Sequence, residues 1–161
     1  MKIKSTALGI LVLGIVFGGI LVSSAMDLWI TESTKTPDKI VVDGAESTYD
    51  PADIKGSYTF GEVSELFGIP LEDMAYAFDL PKDIDPSTFK NKELETIYAD
   101  SELEVGTGSV RLFVSFYKGL PYELTEETYL LSNAVEILKE KAKLTQEQIA
   151  YLDAHTVTMT K

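Results

Sequence analysis

The chain has 161 residues, a formal net charge of −12 and no cysteine. These facts exclude disulfides, thiolate catalysis, iron–sulfur ligation and thiol-anchored haem within this polypeptide. An apolar content of 45% argues against wholesale disorder.

The first element is Ser5–Met26, twenty-two uncharged positions preceded by Lys2 and Lys4. As a helix it would span ~33 Å, enough to cross a ~30 Å hydrocarbon core. The expectation is a transmembrane anchor over 5–26, with a cytoplasmic flank at 1–4 and the C-terminal part extracytoplasmic under the positive-inside rule. A cleaved signal with its cut after Ala25 is the alternative, since Ser23 and Ala25 meet the small-x-small rule. The apolar run Thr6–Val22 is longer than a usual signal core, and Trp29 falls at interface depth, so the retained anchor is preferred. Gly14 and Gly18 form a GxxxG that can bring two anchors together as a homodimer.

All 26 acidic residues but only 12 of the 14 basic ones lie beyond Met26, a formal charge of −14 there. Such a surface repels nucleic acid and anionic headgroups and favours cationic partners or metal ions. Residues 27–48 read as a juxtamembrane linker in which Ile40-Val41-Val42 either forms one short strand or tucks onto the domain. A first helical module is expected over 49–105. Asp50-Pro51 opens it, and Thr59 with Glu62 is a capping box for Phe60–Phe67 that Gly68 stops. A second helix follows at Leu71–Phe78, with Leu71, Met74, Ala75 and Phe78 inward, and a third at Asn91–Tyr98.

Gly106-Thr107-Gly108 reads as the boundary to a second module, 106–161. Ser109–Tyr117 fits either period; helix is preferred, with Thr107 as cap and Gly119 as stop. Thr125–Leu131 is expected as a short helix, and Ser132 as the cap of Asn133–Ala142. Thr145 with Gln148 is a second capping box, opening Gln146–Ala154. The fold class is therefore mainly α, an anchor followed by helix–turn–helix pairs.

Thr59–Pro81 has the outline of a DNA-binding helix-turn-helix, but its second helix carries Glu72 and Asp73. No Lys or Arg lies between Lys55 and Lys82, so phosphate counterions would not be released and nucleic acid is not an expected partner. Asp83, Asp85, Ser87 and Asn91 match part of a calcium loop that fails at Thr88 and Leu94, leaving at most a weak site near Asp79, Asp83 and Asp85. His155 is the only histidine and sits where a helix end would favour an imidazolium. No catalytic, cofactor or metal residues are assigned. Tyr122 and Tyr129, with Glu123, Glu126 and Glu127, form a candidate interaction patch, because tyrosine is enriched at interfaces.

Tyr49–Met74 (YDPADIKGSYTFGEVSELFGIPLEDM) and Leu120–Thr156 (LPYELTEETYLLSNAVEILKEKAKLTQEQIAYLDAHT) resemble a group of uncharacterised bacterial and archaeal membrane-anchored proteins. The first module resembles one attached to membrane iron–sulfur or cytochrome-type electron-transfer proteins. The resemblance implies association with a membrane redox complex whose centres belong to the partner, and it transfers no catalytic residue. The leading expectation is an accessory subunit docked on a membrane complex. The alternatives are a carboxylate hydrolase built on Asp83, Asp85 and Glu93, and a weak calcium- or solute-binding module.

Overall fold

The computed structural model describes residues 17, 36–42, 47–101, 103–125 and 127–158. One compact unit spans Thr36–Lys161. The expected anchor over 5–26, with Gly14 and Gly18, and Glu126 of the candidate patch lie outside the described residues. Among the described residues no helix is long and apolar enough to cross a membrane.

The protein is mainly helical. The unit enters through β1 (Lys39–Ile40), which pairs antiparallel with β2 (Thr48–Tyr49), Lys39 opposite Tyr49. Asp50 then caps a 3-10 turn, Pro51–Asp53, accepting from the Ala52 N–H at 2.8 Å. Helix α1 (Phe60–Phe67) has the expected reciprocal box. Thr59 Oγ1 accepts from the Glu62 N–H at 3.1 Å, and Glu62 Oε2 accepts from the Thr59 N–H at 2.8 Å. Two N–H groups with no helical partner are thereby satisfied at once. Gly68 ends the helix at φ 61°, a left-handed position that a side chain would strain.

Helix α2 (Leu71–Ala77) starts after Pro70, whose missing N–H costs nothing at a helix entrance. It stops one residue earlier than expected, and Ala77 rather than Ala75 is fully buried. The third helix divides into a 3-10 turn, Asn91–Glu93, and α3 (Leu94–Ile97).

Helix α4 (Thr107–Lys118) settles the ambiguous run as a helix, ended by Gly119 at φ 65°. Thr107 is its first residue and not its cap. Gly106 occupies the cap position, and Ser109 Oγ turns back to accept the Gly106 N–H at 3.2 Å. Every residue from Leu112 to Phe116 is buried, so both periodicities in the sequence report one helix enclosed on nearly all sides.

The expected helix at Thr125–Leu131 does not form. Leu130–Leu131 is strand β3, parallel to β4 (Thr156–Val157), with Leu130 opposite Thr156. The Leu130 N–H donates to His155 O at 3.0 Å. Both leucines are buried, and adjacent burial suits a strand covered on both faces. Helix α5 (Ser132–Lys141) starts at Ser132 itself, with Leu131 at the cap position and no side-chain cap bond. The second capping box forms as expected at Thr145 and Gln148, opening α6 (Gln146–Ala154).

One hydrophobic cluster runs from Ile54 to Val157 and includes residues on both sides of Gly106. Aromatic rings connect it: Phe89 to Phe60 at 5.2 Å, Phe60 to Phe78 at 5.4 Å, Phe78 to Phe113 at 5.7 Å, and Phe113 to Tyr117 at 5.6 Å. Offset and edge contacts in this range add to what burial alone supplies. Two buried hydroxyls are matched, Tyr98 donating to Phe78 O at 2.6 Å and Ser115 to Arg111 O at 2.8 Å, while the buried Tyr58 hydroxyl has no partner among the described residues.

Burial pushes the Tyr98 phenol up to about 12, and burial with the bonded Asp73 carboxylate does the same to Tyr117. Unfolded phenols ionise near their ordinary 10.0, so this stabilisation is complete below that pH and is lost as pH rises towards 12. Ultraviolet phenolate titration should show Tyr98 and Tyr117 among the tyrosines that ionise late. Chemical unfolding followed at the same pH values should show stability falling over that window, and Tyr98→Phe should flatten the fall.

Candidate functional site

An open groove of about 860 Å³ lies among the described residues. It is lined by Ile40 of β1 with Val41 and Val42 just after it, and by Pro121, Tyr122, Glu123 and Thr125 of the chain after α4. Asp50 and Ala52 of the 3-10 entrance also line it, together with Arg111 of α4. The walls are largely aliphatic and aromatic with a few charged groups, the composition expected of a ligand or peptide site.

Arg111 is the only arginine in the chain. Its Nε donates to Ile54 O at 2.7 Å, which fixes the guanidinium plane, and neither Nη has a partner among the described residues. A planar fork held by one bond and free at its outer edge is prepared to take a carboxylate in two-point fashion. Sequence reasoning passed over this residue. The available signal was a lone cation in the apolar run VRLFVSF.

The groove wall from 121 to 125 has no regular structure, yet it is held at its end. The Tyr151 hydroxyl lies 2.6 Å from Thr125 O and 3.0 Å from Thr128 O, sharing one proton between two carbonyls. Tyr151 is itself stacked on His155, centroids 4.0 Å apart and planes 9° apart. His155 Nδ1 lies 2.9 Å from Tyr151 O, and since a carbonyl only accepts, that nitrogen carries the proton. The histidine thus finishes α6 and supports Tyr151. Asp153 pairs with Lys139 at 2.6 Å.

The candidate patch is distributed. Tyr122 and Glu123 line the groove. Glu127 lines a separate, smaller cavity beside Gly106 and Gly108. Tyr129 is half-buried with its ring 5.3 Å from that of His155. The carboxylates considered for calcium or hydrolysis act locally. Asp85 accepts from the Ser87 N–H at 2.9 Å and from its hydroxyl at 2.8 Å, which lowers the Asp85 pKa. Glu93 accepts from the Lys90 N–H at 2.6 Å, and buried Asn91 donates to Lys55 O at 3.1 Å. Among the described residues no three acidic or histidine side chains gather as a metal site.

The helix-turn-helix outline places α2 against α5. Asp73 accepts from Tyr117 OH at 2.8 Å and from Lys141 Nζ at 2.7 Å, and Tyr76 OH donates to Glu136 at 3.1 Å. Much of the polar side of α2 is thus committed to other helices of the same unit. No protein-family model matches the chain, and no curated protein or solved structure is found similar to it.

Tyr151→Phe should cost about 0.5–1.5 kcal/mol in denaturant unfolding, the loss of one shared hydrogen bond. Exchange of the Leu130 amide, which is bonded to His155 O, should accelerate while α1 keeps its protection.

Proposed function

We propose that the chain is a single-pass membrane protein whose acidic helical domain lies outside the membrane and serves as an accessory, docking subunit of a membrane complex. The observation that carries this reading is the uncharged run Ser5–Met26 behind Lys2 and Lys4, which is of spanning length and charge-oriented. It delivers residues with a formal charge of −14 to the extracytoplasmic face, which suits a partner with a cationic surface.

The electron-transfer character of the partner rests on the resemblance of Tyr49–Met74 to modules of membrane redox proteins. In that setting the redox centres belong to the partner, because this chain holds no cysteine and its single histidine is stacked on Tyr151. Gly14 and Gly18 offer a seam through which two anchors can associate.

Affinity purification of the full chain from gently solubilised membranes, after in-cell cross-linking, should recover one membrane complex in reproducible ratio. Raising ionic strength during solubilisation should weaken that recovery if the acidic surface contributes. Recovery of the chain alone, with and without cross-linker, contradicts the proposal.

A further inference from the structure

We infer that the seam between α2 and α5 receives an arginine side chain of the partner protein, its guanidinium stacked on the Tyr76 ring and paired with Glu136 and Glu140. The inference rests on the docking reading above and names a contact through which docking occurs.

Tyr76 is 50% exposed, although α2 packs against α5 and the neighbouring Ala77 and Phe78 are fully buried. The residue is nonetheless held at both ends. Its hydroxyl donates to Glu136 Oε2 at 3.1 Å, and its backbone carbonyl accepts from Asn133 Nδ2 at 3.2 Å. Both partners belong to α5, so the helix pair itself fixes the ring. A ring already ordered loses little freedom when a ligand stacks on it. Negative charge surrounds the phenol: the hydrogen bond to Glu136 and the nearby Asp79 and Glu140 carboxylates raise its pKa.

The second observation is the hollow beside the ring. Asp73, Glu136, Ile137, Glu140 and Lys141 line it together with Tyr76, and its volume is about 220 Å³. Sites for whole small molecules run from roughly 300 to 1,000 Å³, so this one suits the head of a single side chain. Its one cation is already neutralised, with Lys141 Nζ 2.7 and 2.8 Å from the two Asp73 oxygens. Glu136 and Glu140 have no ion pair among the described residues, which leaves two unmatched charges on successive turns of α5. Carboxylates alone would be an ordinary solvated face. Beside an anchored, half-exposed aromatic ring they favour a flat cation, because a guanidinium stacks on the ring while its N–H edge reaches the carboxylates. A metal ion would need a third close ligand, and among the described residues no three acidic or histidine side chains gather for one.

The test follows the Tyr76 ring signal by NMR in the full chain held in lipid nanodiscs, titrated with the end-capped peptide Gly-Gly-Arg-Gly-Gly. The signal should shift saturably, and the peptide with citrulline, uncharged but of similar shape, should leave it in place. Glu140→Gln breaks no hydrogen bond in the structure and should weaken binding about fivefold; Tyr76→Leu should do the same. Both positions are exposed, so unfolding midpoints should stay near that of the wild type. Absence of a saturable shift overturns the inference, as does equal binding of the citrulline peptide or of a lysine peptide. Tighter binding of calcium than of the arginine peptide overturns it as well. In membranes, the double variant should recover less of the complex than the wild type. If it recovers the complex equally, the seam assignment fails and the docking reading stands. If the wild type recovers none, the docking reading fails by itself and the peptide titration judges the seam.

Discussion

Phe113 lies edge-on to Phe78 at 5.7 Å and tilted beside Tyr117 at 5.6 Å, and through it α4 is joined to the first half of the unit. The same helix presents Phe116 to Tyr151 of α6 at 6.4 Å. Leu112 to Phe116 are all buried, so α4 can exist only where other elements cover it on every side. That requirement organises the rest. Helices α1 and α3 supply cover through residues such as Phe60 and Leu94, Phe78 supplies it at the end of α2, and α5 and α6 do so through Leu138 and Leu152. Asp73, bonded to both Tyr117 and Lys141, ties α2, α4 and α5 together at the margin of this core.

Local signals were legible in the sequence because the interactions behind them are local. The two capping boxes are closed by residues three apart, and Gly68 and Gly119 stop helices through a backbone angle that favours glycine. The misread elements depend on distant partners. Leu130–Leu131 becomes a strand because Thr156–Val157 lies beside it, and Tyr151 takes the Thr125 and Thr128 carbonyls that a helix would have used. The boundary suggested by Gly106-Thr107-Gly108 reflects the start of α4, while side chains from both flanks enter the same cluster. Asp73 and Lys141 are 68 residues apart, and no periodicity connects them.

The candidate site shows the same division. Tyr122 and Glu123 were identifiable as interface-prone residues, and both line the groove. Arg111 was not, because a cation in an apolar run indicates a partly buried charge without indicating which cavity it faces. Its orientation depends on Ile54 O, fifty-seven residues earlier. The groove exists because two segments free of regular pairing, 41–42 and 121–125, are brought face to face by elements that are themselves firmly packed. A rigid scaffold bearing irregular segments is a familiar way to position a recognition site.

The central structural claim is that α4 makes residues 49–158 a single cooperative unit, and native-state amide exchange on Phe113→Ala tests it most directly. A truncation of this size in a closed core costs about 3–5 kcal/mol. The account predicts that protection falls together, by the same free energy, in the slowest-exchanging amides of α1, α2 and α5. Loss confined to α5 and α6, with α1 and α2 keeping wild-type protection, would contradict it.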